Sequence, residues 1–336
     1  MSKCILVLDK LDYKAKETEI AEIMRKKYDE SLIIYTAYED ALIRKLRKIP
    51  YIGSFFQHIL YWLKSFRYAK RIMREANSAK VICINPIVAV FLGLLNGKKN
   101  ADITMCGFLF VPKTNGTYYE ARKKVMLRSM EGLRSIVVYS QKEMDYYHSI
   151  FGDNGKFRYV PYGIDYDQNK KYAGAKPDRY IFSGGGSNRD YKTLVEAYRI
   201  YAKSGFVPLC IATLPQFLEG IDTTGIDVRT DVTLETIGDW MRNSALLIIS
   251  LKDVELSAGH QVLLQGLKEN VPVLINKIPS ILDYVSNEQV EFFESGNTQE
   301  LADKMKTMLE NPQKVQNAAF YEEHYTFNKF LERLLS

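Results

Sequence analysis

The sequence predicts an α/β protein built as two doubly wound domains facing a cleft. Three observations carry this. Apolar runs of strand length alternate with segments of helical periodicity. The alternation pauses at the polar stretch Asp167–Asp178 and then restarts. A chain of 336 residues suits two domains of ordinary size. Residues 1–165 are expected to form the first domain, 166–312 the second, and 313–336 a C-terminal helix packing back on the first.

The first half opens with Lys3–Leu8, an apolar run of strand length. Thr18–Tyr28 has helical spacing through Ile20, Ile23 and Met24. Ser31–Tyr35 reads as a strand. A basic, aromatic segment runs from Ala41 to Ala79. Strands are expected at Val81–Asn85, Ile103–Val111, Ser135–Tyr139 and Arg158–Pro161, with helices at Val88–Leu95, Tyr118–Leu133 and Gln141–Phe151. The second half predicts strands at Tyr180–Ser183, Val207–Thr213, Ala245–Ser250, Val271–Ile275 and Glu291–Phe293. Helices are expected at Tyr191–Lys203, Thr233–Asn243, Gln261–Glu269, Pro279–Val285 and Thr298–Glu310.

Composition narrows the function classes. No signal peptide is visible, and no run of 18 uncharged apolar residues exists, so a cytoplasmic protein without a membrane span is expected. Cys4, Cys83, Cys106 and Cys210 are far apart, which predicts buried free thiols and no zinc site. Charge is uneven. Residues 1–165 hold 28 Lys+Arg against 17 Asp+Glu, a balance of +11; residues 166–336 hold 18 against 23, a balance of −5. Within 41–80 there are ten basic residues and one acid, Glu75. Two readings of this patch stand. One is a core-facing helix with a solvated basic face. The other is a segment lying on an anionic membrane surface, with Phe55, Phe56, Tyr61 and Trp62 as anchors beside Arg44, Lys45, Arg47, Lys48, Lys64, Arg67, Lys70 and Arg71. No nucleic-acid-binding module accompanies the patch, so nucleic acid is not an expected partner.

Two glycine-bearing turns in the second half carry the chemistry. Gly184-Gly185-Gly186-Ser187-Asn188-Arg189 leads from a strand into a helix, and so does Ser257-Ala258-Gly259-His260-Gln261. Either is readable as an ordinary turn. The alternative is an anion site: glycines permit close backbone approach, helix N-termini present free N–H groups, and Arg189 is a cation where the helix dipole disfavours one. No Asp-x-Asp metal motif stands in a convincing loop, and no metal is expected.

At this point the chain resembles a family. Arg134–Gln141 is similar to the strand-and-turn "AD-x-V-I-x-x-S" of GT-B glycosyltransferases of family 4. Val160-Pro161-Tyr162-Gly163-Ile164-Asp165 resembles "V-P-N-G-V-D", with Tyr162 in place of Asn. Phe182-Ser183-Gly184-Gly185 with Tyr191–Ala197 resembles the "F-x-G-x…K-G-x-x-x-L-x-x-A" block. The likeness runs over about residues 120–310, and the run from Ser257 to Gly266 resembles the "S-A-G-x-x-x-L-L-x-A" form of a subgroup common among enzymes of bacterial surface-polysaccharide assembly.

The resemblance implies two Rossmann-like domains and transfer of a sugar from a nucleotide carrier. A UDP-sugar is favoured as substrate, no cofactor is expected, and the anomeric configuration is retained. The implied acceptor is a lipid-linked saccharide or oligosaccharide at the inner face of the membrane. Arg189 is implied to stabilise the leaving diphosphate. Gly185, Gly186, Ser187, Gly259, His260 and Gln261 would surround the donor, and Asp231, Val232 and Thr213 would lie near its base. The chain also departs from the pattern. Gly184 replaces an arginine, Arg189 replaces a lysine, and Ser257 and Gln265 stand where glutamates contact sugar and ribose. A second reading is therefore a catalytically silent partner that docks or recruits an active enzyme. A third, a sugar-nucleotide epimerase, lacks a convincing acid–base set.

Overall fold

The structure is a computed structural model. It describes residues 2–9, 11–36, 52–97, 100–108, 110–111, 116–166 and 170–336. It divides into two compact units. The N-terminal unit comprises Met1–Tyr139, Met144–Val160 and Leu331–Ser336; the C-terminal unit comprises Ser140–Glu143 and Pro161–Phe330. Among the described residues no helix is long and apolar enough to cross a membrane.

The N-terminal unit holds a parallel sheet of strands β1 (Lys3–Leu8), β2 (Glu30–Tyr35), β3 (Lys80–Cys83), β4 (Asp102–Cys106), β5 (Ser135–Val138) and β6 (Phe157–Tyr159), in the order β2-β1-β3-β4-β5-β6. Its helices include α1 (Glu17–Arg25), α2 (Ile52–Glu75), α3 (Pro86–Leu95), α4 (Gly116–Glu131) and α5 (Gln141–Phe151), the last of which begins in the other unit. Residues Arg44, Lys45, Arg47 and Lys48 of the basic patch lie outside the described residues, as does the side chain of Phe55. Local chemistry sets the boundaries. Asn85 caps α3 by accepting from the Val88 N–H, and Pro86 starts the helix where its missing N–H costs nothing. Strand β4 stops at Cys106, short of the expected Val111, because Gly107 turns the chain at φ +79°.

The C-terminal unit repeats the plan with β7 (Ile181–Gly184), β8 (Leu209–Ala212), β9 (Asp227–Arg229), β10 (Leu246–Ile249), β11 (Val273–Asn276) and β12 (Glu291–Phe293), ordered β12-β11-β10-β7-β8-β9 and all parallel. The helices are α6 (Tyr191–Tyr201), α7 (Ile237–Arg242), α8 (His260–Lys268), α9 (Pro279–Leu282), α10 (Thr298–Glu310), α11 (Ala318–His324) and α12 (Phe327–Leu335). Successive strand residues serve opposite faces. Leu247 and Ile249 join Phe182, Trp240 and Leu263 in one buried cluster, while Leu246 and Ile248 join Leu194, Leu301 and Met305 in the other. Both faces are covered, so the strands read as unbroken apolar runs.

Three differences from expectation have physical causes. Helix α7 starts at Ile237 rather than Thr233; the residues before it form a turn in which the Ile237 N–H already donates to the Thr233 carbonyl and the Thr236 hydroxyl takes the Thr233 N–H. Strand β9 is three residues of an edge, Asp-Val-Arg, too short for a period to show. The C-terminal segment is two helices rather than one, since Asp165 accepts from the Phe327 N–H and caps a fresh start at α12. The same motif docks through the Tyr321 hydroxyl on the Ile164 carbonyl, 2.6 Å. The four cysteines are unpaired and buried, and burial pushes the Cys4, Cys106 and Cys210 thiols up to about 12.

Helices α3 and α4 meet backbone to backbone. A Cβ added at Gly93 would stand 2.3 Å from the Ser129 carbonyl oxygen. In an open helix Gly→Ala adds about 1 kcal/mol of stability. Here Gly93→Ala is expected to destabilise by roughly 1–3 kcal/mol, because backbone and not a side-chain tip must move. Urea unfolding checks this; a midpoint at or above the parent's would refute the close contact.

Candidate functional site

In a doubly wound sheet, ligands sit beyond the carboxyl ends of the strands where the strand order reverses. In the C-terminal unit that point lies between β7 and β10: the chain leaves β7 toward β8 and β9, and leaves β10 toward β11 and β12. The loops after these two strands are the two glycine-bearing turns. They are tied by backbone: the Asp190 N–H donates to the Ser250 carbonyl and the Lys252 N–H to the Asn188 carbonyl, both 2.9 Å, flanking a bridge between Arg189 and Leu251.

The Arg189 guanidinium lies where the turns converge. A Cβ at Gly185 would stand 2.7 Å from its Nη2, and one at Gly259 would stand 3.5 Å from its Nη1. Both glycines have positive φ, +102° and +82°, so neither position tolerates a side chain without strain. Arg189 is only 8% exposed. Nε donates to the Gly184 carbonyl at 2.9 Å and Nη1 to the Ser187 carbonyl at 3.2 Å. Among the described residues no carboxylate lies within ion-pair distance of it. Burial pulls its pKa below the ordinary value. A desolvated cation whose partners are neutral carbonyls lacks a counter-ion, and an anionic ligand would supply one.

The start of α8 faces the same point. Gly259 is its N-cap and has no side chain to satisfy the first N–H groups, which remain as partial positive charge beside Arg189. His260 contributes its backbone here, while its ring turns into the core. Nε2 is 2.9 Å from the Ser280 carbonyl, the ring lies 4.2 Å from that of Tyr284, and burial, with Arg189 nearby, pushes its pKa down to about 4. The ring is neutral and already committed, which leaves it no role as a general base. Gln261 is exposed; its carbonyl accepts from the Tyr166 hydroxyl at 2.5 Å, and Gln265 is buried one turn further along α8.

Gly185, Gly186, Thr213 and Val232 line one small cavity of about 180 Å³, together with Phe217 and Arg229. That volume suits a single ring, below the ~300–1,000 Å³ of a whole small-molecule site. Thr213 and Tyr191 both donate their hydroxyls to the Gly185 carbonyl, the former at 2.9 Å, and fix the turn. Ser187 is exposed on the outer side of the turn. Asp231 accepts from the Tyr172 hydroxyl at 2.5 Å, which holds its carboxyl below the usual range.

Sequence reasoning missed three contributors. The Phe217 ring covers Gly186, where a Cβ would meet it at 2.3 Å. Arg229 Nε lies 2.7 Å from the Asp227 carboxylate on the edge strand. The third is Glu143, 3% exposed, whose Oε2 lies 2.9 Å from the Ser257 hydroxyl. Position 257 itself holds no carboxylate, yet one stands beside it. Its signal was the pattern Ser140-x-x-Glu143 of a helix start, in which the Glu143 N–H donates to the Ser140 hydroxyl at 3.1 Å. Lys142 pairs with Asp253 at 2.7 Å and approaches Glu255 at 3.9 Å, so both loop acids are engaged.

No family model matches the sequence, and no curated protein matches it. Solved structures do. A sucrose-phosphate synthase from Thermosynechococcus elongatus is 12% identical, with 99% of this chain and 97% of that chain covered, at a TM-score of 0.66. HepE from Anabaena, solved in complex with UDP, is 12% identical over 99% and 98% of the two chains, at 0.62. The lipopolysaccharide outer core galactosyltransferase WaaB is 12% identical over 99% and 98%, at 0.56. The chain thus has the fold of the GT-B glycosyltransferases, with two Rossmann-like sheets.

The buried His260 predicts a pH dependence. Its folded pKa, about 4, lies below the unfolded value near 6.5, so the unfolded state binds more protons between them. Its contribution to stability is complete above pH 6.5 and is lost as pH falls toward 4, by up to about 3 kcal/mol. His260→Gln should flatten the stability difference between pH 7 and pH 4.5 in urea titrations. Equal pH slopes for parent and variant would refute the neutral, buried ring.

Proposed function

We propose that the chain is a metal-independent glycosyltransferase of the family 4 type. It moves a sugar from a UDP-sugar to a lipid-linked saccharide acceptor in surface-polysaccharide synthesis, working peripherally at the inner face of the cell membrane. One observation carries the donor site: a buried guanidinium without a carboxylate partner, held between two glycine turns and a helix N-terminus at the switch point. A diphosphate matches that charge and shape. The adjacent ring-sized cavity at Thr213, Val232 and Phe217 would take the base.

The chemistry follows from these groups. The anomeric carbon–phosphate oxygen bond breaks as the acceptor oxygen bonds to that carbon. The developing charge on the leaving diphosphate falls on Arg189 and the α8 N–H groups, preorganised where water is scarce. With His260 committed to the Ser280 carbonyl, the leaving phosphate oxygen takes the acceptor proton, a route that retains configuration.

The silent-partner reading draws on Ser257 and Gln265 standing at the positions of the implied glutamates. Nucleotide binding separates the two. Saturating UDP should raise the melting temperature by several degrees, and Arg189→Ala should weaken UDP by about tenfold to a hundredfold. If UDP, GDP, ADP and dTDP all leave the melting curve unmoved, the enzyme reading fails.

The membrane assignment rests on α2. Phe56, Ile59, Trp62, Leu63 and Phe66 are each 40–51% exposed, and Arg67, Lys70 and Arg71 are exposed on the same helix. Sedimentation with phosphatidylglycerol vesicles should pull the protein down at 50 mM salt and release much of it at 500 mM. Binding that is absent, or insensitive to salt, would end this assignment.

A further inference from the structure

The N-terminal unit has its own switch point, between β1 and β3, and the cavity there has the opposite chemistry. It encloses about 580 Å³, within the range of a small-molecule site, and is reached by Asp9 after β1 and Asn85 after β3. Its walls are Trp62 of α2, Val90 of α3, Phe108 after β4 and Val125 of α4. Asn85 is internally satisfied: it donates to the Thr36 hydroxyl at 3.2 Å and caps α3. Such walls suit a hydrocarbon far better than a sugar, whose hydroxyls would go unpaired.

The cavity lining carries one charge of each sign. Asp9 and Arg122 are its charged lining residues. Arg122 donates to the Val111 carbonyl at 3.0 Å and lies 4.7 Å over the Phe110 ring, and among the described residues no carboxylate pairs with it. Outside the lining, Lys123 and Lys124 follow on α4, and exposed Arg67 and Lys70 lie on α2. Trp62 belongs both to the cavity wall and to the exposed apolar stripe of α2, whose spacing of three and four residues marks one helix face. The apolar surface is thus continuous from the switch point to the outside of the unit.

We propose that this cavity takes the hydrocarbon chain of a lipid phosphate, with Arg122 pairing the phosphate and the chain leaving past Trp62. The inference rests on the lipid-linked acceptor of the proposed function and names the residues that would hold it.

Farnesyl phosphate, used below the concentration at which it aggregates, is the probe, titrated by calorimetry into the full chain. Saturable binding is expected. Val125→Asp should weaken it more than tenfold, and Arg122→Gln about tenfold while leaving farnesol binding unchanged. UDP-induced stabilisation, measured on the same preparations, should be intact in both variants and shows that they are folded. Intrinsic fluorescence should shift on binding and lose that shift in Trp62→Phe, because the other tryptophan, Trp240, is fully buried in the C-terminal unit. No saturable binding in a protein that still binds UDP overturns this inference and leaves the donor site standing. Unchanged affinity in both variants also overturns it. Lipid binding without any nucleotide binding would uphold the cavity and sink the glycosyltransferase reading.

Discussion

A single buried guanidinium organises the C-terminal unit's switch point. Arg189 is held by two carbonyls from its own turn and pressed against two glycines, Gly185 and Gly259, whose missing side chains make room for it. Tyr191 and Thr213 hold Gly185 from behind, and the pairing of residues 188–190 with 250–252 keeps both loops in register. Each of these contacts costs backbone freedom and positions a charge that the protein leaves uncompensated.

The two units share a plan and differ in what stands at the reversal of strand order. In the C-terminal unit the strand ends lead into glycine turns, a free helix N-terminus and a cation. In the N-terminal unit they lead into Asp9 and into Asn85, which caps α3, and the space above is walled mainly by aromatic and aliphatic side chains. In parallel sheets of this kind the strand order sets where a ligand can meet the sheet, and the residues just past the strands set the chemistry there.

Most elements were legible because strand and helix periodicities are local. Lys3–Leu8, Gln141–Phe151 and Thr298–Glu310 fall where their patterns put them. The misses share a different cause. Strand β9 exists because β8 offers it an edge, and the break before α12 because Asp165 reaches across 162 residues to cap it. Of the candidate site, both glycine turns and Arg189 were visible as motifs. Phe217 and Glu143 were not, since both lie far in sequence from the glycine turns that they reach in the fold.

What the sequence determined by itself was the alternation of elements, the restart of the fold halfway along and the two turns that carry glycine where a strand passes into a helix. These are set by side-chain period and by backbone freedom, which act over a few residues. Only the tertiary structure decided that the two turns meet at one guanidinium, that the His260 ring faces the core, and that a carboxylate from residue 143 stands beside residue 257. Those facts depend on which strands become neighbours, a choice made by burying apolar faces across the whole sheet rather than by any segment alone.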